Sequence, residues 1–343
     1  MTYLIFAPNW LGDAVMALPA LADVAVHAGP SGRVVVAARP SVAGLFTCVD
    51  GLHGVITLDG TKRGGLFAGI DADAQAVRAA RADVALLLPN SVRTAVVARR
   101  AGVAGRWGYR HQGRGALLTR AIAKPRGPMH QADYYRHLVC ALGIANGARE
   151  PRLSIPPPAA AAATPLLVEH GWIPGTRLVG LAPGAAFGGA KRWLPERFAQ
   201  VCAALAETYG ARTVILGSAA DEPAAWAIAQ EVDKIAGGGP ARGPINLAGR
   251  TTLAQLAAVV ATCSAFVSND SGAMHVAAAA GVPVVALFGP TNERETAPLG
   301  ARAAVVTAPV WCRPCMLREC PLDHRCMTGI SAADVVRRVG DLV

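Results

Sequence analysis

The sequence predicts an α/β protein built from two doubly wound domains. Three observations predict it. The chain has 343 residues, enough for two α/β domains of ordinary size. Short apolar runs alternate with helical patterns, the grammar of βαβ units and parallel sheets. Midway, the stretch 155–165 reads IPPPAAAAATP, and proline clusters of this kind mark interdomain linkers. The expected domains are residues 1–156 and 157–343.

The first half opens with a strand at Tyr3–Ala7, a polar turn at Asn9–Asp13 and an apolar-rich helix to about Ala28. Strands are expected at Arg33–Ala38 and Asp83–Leu88, with helical patterns around 72–81 and 93–101. The second half restarts the pattern with strands at Leu178–Ala182, Thr213–Leu216, Ala265–Ser268 and Val282–Phe288. Helices are expected at Leu194–Tyr209, 222–235, 251–262, 272–280 and 332–342, with Thr252 suited to cap the third of these. The last helix could pack on either domain. Two such domains would place their strand C-termini around a shared cleft, and ligands bind at such edges.

Hydrophobic residues make up 52% of the chain and charged residues 16%, a composition that fills two cores and excludes disorder. No apolar run is expected to reach the roughly 18 residues of a membrane span. The N-terminus lacks the basic-then-apolar order of a signal peptide, so a cytoplasmic location is expected. The net charge of +10 is uneven. Between Ser91 and His130 lie Arg93, Arg99, Arg100, Arg106, Arg110, Arg114, Arg120, Lys124 and Arg126, and no carboxylate. Such a field attracts an anionic partner. No nucleic-acid-binding signature accompanies it, whereas an anionic lipid surface or a phosphorylated acceptor fits. A solvated Arg-rich surface is the plainer reading.

Three segments can carry chemistry. In Ala7-Pro8-Asn9-Trp10-Leu11-Gly12-Asp13, Asp13 falls between a strand end and a helix start, which suits either an N-cap or a general base. The loop from Pro183 to Trp193 includes Gly184, Ala186 and Phe187 and ends in the cations Lys191 and Arg192. Its backbone amides can approach phosphates, and Lys191 can neutralise a leaving diphosphate, although the P-loop pattern is absent. In Ser268-Asn269-Asp270-Ser271-Gly272-Ala273-Met274-His275 a strand again runs into a helix N-terminus, a ready anion site. His275, one turn in, equally suits a buried hydrogen-bonding role. Gly289-Pro290-Thr291-Asn292 closes the same edge.

The segments APNWLGDAVMALPAL, LLPNSVRTAVVARRAGVAGRWGYR, APGAAFGGAKRWLPERFA, ILGSAADE, NLAGRTTLAQLAAVV and SNDSGAMHVAAAAGVPVVALFGPT occur in order between residues 7 and 291. In that combination the chain resembles glycosyltransferase family 9, the heptosyltransferases of lipopolysaccharide core biosynthesis. The resemblance implies two Rossmann-like domains facing a cleft, the glycosyltransferase B type, with the acceptor on the first and the nucleotide sugar on the second. It implies inverting transfer from ADP-L-glycero-β-D-manno-heptose to a heptose on the lipid A–Kdo core, with peripheral contact at the cytoplasmic face of the inner membrane. By that analogy Asp13 is the base and Lys191 contacts the donor diphosphate. Gly184, Ala186, Phe187, Asp270, Ser271, Gly272 and His275 line the donor site. An acidic residue after Gly217-Ser218 would hold the ribose, and Glu222 is favoured over Asp221.

With a cation and a helix N-terminus present, no metal or other cofactor is required for the transfer. Asp71-Ala72-Asp73 matches the D-x-D pattern of metal-dependent transferases only formally. Cys312, Cys315, Cys320 and Cys326, with His324 among them, form a Cys-rich segment at 312–326. In a cytoplasmic protein such a set suits a structural zinc or iron–sulfur cluster, yet its spacing matches no standard pattern, and disulfides or free thiols are the alternatives. The nearest other function is a family 9 transferase with a different donor or acceptor. A dinucleotide-dependent oxidoreductase would need G-x-G-x-x-G after the first strand, which is missing. A nucleic-acid-binding module would rest on the basic segment and the Cys cluster alone.

Overall fold

The computed structural model describes residues 1–60, 69–237 and 243–343. The chain divides into two compact units, Met1–Ser154 and Ile155–Val343.

The first unit is a six-stranded sheet of β1 (Thr2–Phe6), β2 (Arg33–Ala38), β3 (Gly54–Thr57), β4 (Val84–Leu87), β5 (Gly105–Tyr109) and β6 (Arg120–Ile122). Its order is β3-β2-β1-β4-β5-β6, and every pair is parallel. Leu4 and Phe6 of β1 pack with Ala85 and Leu87 of β4. The helices Ile70–Arg78 and Val92–Arg100 cover them with Ala74, Val77, Ala95 and Ala98. Alternate residues such as Tyr3 and Ile5 are equally buried, as expected where helices cover both faces of a parallel sheet.

The second unit repeats the architecture with β7 (Leu178–Ala182), β8 (Arg212–Ile215), β9 (Ile245–Asn246), β10 (Ala265–Asn269), β11 (Val284–Phe288) and β12 (Ala303–Thr307). Its order, β12-β11-β10-β7-β8-β9, is again wholly parallel. Val179, Leu181, Val267, Val285 and Leu287 form its core with Phe198, Leu205, Ile228 and Val232 of two flanking helices. The C-terminal helix Ala332–Leu342 adds Val335 and Val339 to this core, so it packs on its own unit. Thr252 caps the helix Leu253–Thr262 in a reciprocal box with Gln255.

In both sheets the chain reverses its direction of winding between the first and fourth strands. Each switch point, β1/β4 in the first sheet and β7/β10 in the second, leaves a crevice of its own beyond that sheet's strand C-termini.

Two expectations are corrected. The proline-rich stretch read as an interdomain linker begins at the boundary between the units, but most of it is helical, because Pro157–Glu169 is a helix. Its prolines at 157 and 158 occupy first-turn positions where a missing N–H costs nothing. The five alanines that follow favour helix strongly enough to carry Pro165 in the interior. Second, the stretch Leu11–Ala28 does reach span length, with a mean hydropathy of 1.4. It comprises two consecutive helices, Leu11–Met16 and Leu18–Ala28, whose buried residues include Val15, Leu21, Val24 and the carboxylate Asp23. Asp23 accepts a hydrogen bond from Gly147 N–H at 2.7 Å.

Candidate active site

Asp13 lies just beyond β1, at the switch point of the first sheet. It is not an N-cap. The helix Leu11–Met16 has Trp10 at its N-cap, with no capping side chain, and Asp13 is the third residue inside the first turn. A carboxylate there is favoured by the partial positive charge of the exposed amides. The Tyr135 hydroxyl donates to Asp13 Oδ1 at 3.1 Å. Tyr135 is buried, and burial first, then the Asp13 charge, push its pKa well above the ordinary range. It therefore stays a donor and orients the carboxylate. Beyond β4, Asn90 Nδ2 donates to the Tyr134 hydroxyl at 2.8 Å, and Lys124 Nζ lies 5.8 Å from the Tyr134 ring. Tyr135 was not among the expected residues. It is 122 positions from Asp13, and no spacing rule connects them.

The basic segment splits in two. Arg114 is fully buried, and its guanidinium donates to the carbonyls of Tyr109, Pro89 and Ser91. Burial lowers its pKa to about 10, which leaves it charged at neutral pH. Arg106 donates to the carbonyls of Leu117 and Val103 at 2.8 and 2.7 Å. Arg93 pairs with buried Asp73 at 2.6 Å. These three hold the fold together, while Arg99, Arg100, Arg110, Arg120, Lys124 and Arg126 are exposed. The D-x-D match is likewise accounted for, since Asp73 serves Arg93 and Asp71 pairs with Arg100, both from the helix Ile70–Arg78.

In the second unit, β7 and β10 bring two of the expected motifs together. Lys191, on a short 3-10 turn at Gly189–Lys191, reaches Asp270 Oδ2 at 2.5 Å. Thr291, beyond β11, donates to the same oxygen at 2.5 Å. Both side chains of the ion pair are largely buried, with 11% and 5% exposure. Lys191 Nζ also sits 4.7 Å from the Phe187 ring centroid, a cation–π distance. Asn269, fully buried, staples the loop at both ends. Its Nδ2 donates to the Pro183 carbonyl at 2.7 Å and its Oδ1 accepts from Trp193 N–H at 3.2 Å.

Ser271 is the N-cap of the helix Gly272–Ala279 and makes no side-chain cap bond. Its hydroxyl lies 3.1 Å from that of Ser268. His275 is buried in this helix, consistent with the hydrogen-bonding reading. Gly184 is required by close approach, because a Cβ there would stand 2.3 Å from Asp221 Oδ1. The Asp221 carboxylate accepts from both the N–H and the hydroxyl of Ser218, so Ser218 and Asp221 serve each other in a capping box. Glu222 is exposed, with Oε1 near Gly249. Ala186, at the crest of the loop, is exposed too.

The structure gives no support to a metal centre at Cys312, Cys315, Cys320 and Cys326. Among the described residues no group of three or more His, Cys, Asp or Glu side chains is arranged to hold a metal ion. All four thiols are free. Cys326 is buried while Cys315 is exposed, and burial first, then the neighbouring thiols of Cys312, Cys320 and Cys315, raise the Cys326 pKa.

Comparison with known proteins bears on the family and the fold. The model of glycosyltransferase family 9 (heptosyltransferase) matches residues 71–325. Lipopolysaccharide heptosyltransferase 2 of Salmonella typhimurium is 30% identical over 325 residues, covering 89% of this chain and 88% of its own. Lipooligosaccharide heptosyltransferase 2 of Haemophilus influenzae is 29% identical with the same coverage. The solved structure of Escherichia coli ADP-heptose LPS heptosyltransferase II superposes with a TM-score of 0.83 at 27% identity, over 100% of this chain and 98% of that one. The fold is thus of the glycosyltransferase B type, and the chain belongs to glycosyltransferase family 9, the heptosyltransferases.

Proposed function

We propose that this chain transfers heptose, with inversion, from ADP-L-glycero-β-D-manno-heptose to the heptose of the lipopolysaccharide inner core. The reading is supported above all by one observation. A carboxylate, Asp13, and a buried cation, Lys191, each stand at the switch point of a doubly wound sheet in a member of this family. Asp13 removes the proton of the acceptor hydroxyl. That oxygen attacks the anomeric carbon on the face opposite the departing ADP, through an oxocarbenium-like state. Lys191 and the first amides of the helix Gly272–Ala279 stabilise the charge that develops on the diphosphate. Glu222 is the residue assigned to the ribose hydroxyls, because Asp221 is committed to Ser218. The first unit binds the acceptor and the second the nucleotide sugar, at the cytoplasmic face of the inner membrane.

Initial-rate kinetics with a heptosylated lipid A–Kdo acceptor test this reading. ADP-heptose should serve as donor and UDP- or GDP-sugars should not. A preference for another nucleotide sugar would assign the chain a different role within the same family. The acceptor side can be tested separately on the exposed cations. Replacing Arg110, Lys124 and Arg126 together by Gln should raise the acceptor KM on the order of tenfold and leave the donor KM nearly unchanged. The difference should shrink as salt rises, since the Debye length is only about 8 Å at 0.15 M. Equal damage to both KM values, or none, would make these residues a solvated surface.

A further inference from the structure

The segment from Trp311 to Cys326 is bonded to both loops that carry Lys191 and Thr291. Toward the first loop, Ala190 N–H donates to the Arg318 carbonyl at 2.9 Å. Gly189 N–H donates to Glu319 Oε1 at 2.9 Å. His324 Nε2 lies 2.6 Å from the Ala190 carbonyl oxygen. A carbonyl only accepts, so Nε2 carries the proton and donates. Toward the second loop, Arg313 Nε donates to the Gly289 carbonyl at 2.6 Å and Nη2 to the Glu293 carboxylate at 2.9 Å. Met316 N–H donates to the Pro290 carbonyl at 2.9 Å. The approach is close enough to demand glycine, because a Cβ on Gly188 would stand 2.3 Å from the Arg318 carbonyl oxygen. The Arg318 guanidinium faces the Phe187 ring at 5.3 Å.

We propose that Trp311–Cys326 is a strap that positions the donor site, pinning residues 188–190 and 289–293 in one arrangement, with His324 as its principal positioning residue. The inference rests on the assignment of Lys191 to the donor diphosphate. Its physical basis is the softness of what is held. The loop contains Gly184, Gly188 and Gly189, each of which enlarges the set of conformations the backbone can visit. Lys191 adds a flexible four-carbon stem with many rotamers. A cation aimed at a developing charge is effective only if its position is settled before the reaction. The strap settles it through bonds to backbone atoms of the loop at Gly189 and Ala190.

The test uses the full chain with His324→Ala, His324→Gln and Glu319→Ala. ADP affinity is measured by calorimetry, and amide hydrogen exchange is followed over residues 186–191. His324→Ala should bind ADP about tenfold more weakly, the loss of one well-placed hydrogen bond. It should also exchange faster at Gly189–Lys191 and keep the acceptor KM of the parent. His324→Gln retains an N–H donor at similar reach and should recover most of the affinity. Glu319→Ala should move both readouts in the same direction by less, and it decides the matter if His324→Ala does not fold. Unchanged ADP affinity together with unchanged exchange overturns the strap. So does a loss of thermal stability with affinity per folded molecule intact. Failure of the parent chain to bind ADP would instead overturn the donor-site assignment, while the exchange measurement still decides whether the strap orders the loop.

Discussion

Asp13→Asn is expected to fold, to bind ADP as the parent chain does, and to transfer sugar at least ~100-fold more slowly. The amide matches the carboxylate in size, and its oxygen can still accept from the Tyr135 hydroxyl, now 3.1 Å from Oδ1. Trp10 rather than Asp13 is the N-cap, so the N-cap residue itself is unchanged. The structural cost is the loss of a negative charge in a first helical turn, about 0.3–1 kcal/mol. What the amide cannot do is take a proton from the acceptor hydroxyl. Turnover under saturating substrates and thermal melting of the same sample separate the two effects. Persistent turnover per folded molecule, with lowered stability, would make Asp13 a structural residue.

Lys191→Ala is expected to cost roughly 2–4 kcal/mol in transition-state stabilisation, a loss that falls on both donor affinity and turnover. The ion pair with Asp270 adds a second effect. Removing the cation leaves a carboxylate that is 5% exposed and 2.5 Å from the position Lys191 Nζ occupied, with the Thr291 hydroxyl still donating to it. An uncompensated buried charge is destabilising, and here it would also repel the incoming diphosphate. The double variant Lys191→Ala/Asp270→Asn should therefore regain thermal stability and part of the ADP affinity, yet remain slow in transfer. Calorimetry with ADP and initial rates on the three proteins check this. Normal kinetics in Lys191→Ala would remove Lys191 from the site.

The strands were legible where burial is deepest. β1, β2, β4, β7, β8, β10 and β11 are apolar runs at or beside the centres of their sheets, and composition alone marks them. β3, β5, β6, β9 and β12 lie toward the sheet edges. Several are only two to four residues long, and β5 reads GRWGY, too polar and glycine-rich to stand out. The proline stretch at 155–165 misled for a specific reason. Proline breaks a helix in its interior but is at home in its first turn, and the sequence does not say where the helix begins.

The candidate site divides the same way. Lys191, Asp270 and Thr291 follow strand ends, and strand ends converge in a doubly wound sheet. Tyr135 lies within a helix and meets Asp13 only through tertiary packing. The basic segment showed its charge but not its direction. Whether an arginine faces solvent, as Arg110 does, or is engulfed like Arg114, depends on the carbonyls around it.

Inversion at a single displacement is the central claim, and the configuration of the product tests it most directly. The parent chain is incubated with ADP-L-glycero-β-D-manno-heptose and a heptosylated lipid A–Kdo acceptor, and the anomeric configuration of the new linkage is determined by NMR. Direct attack by a deprotonated acceptor oxygen, with ADP leaving from the opposite face of the sugar, requires an α linkage. A β linkage would require two displacements or attack from the leaving-group side, and would contradict the roles proposed for Asp13 and Lys191.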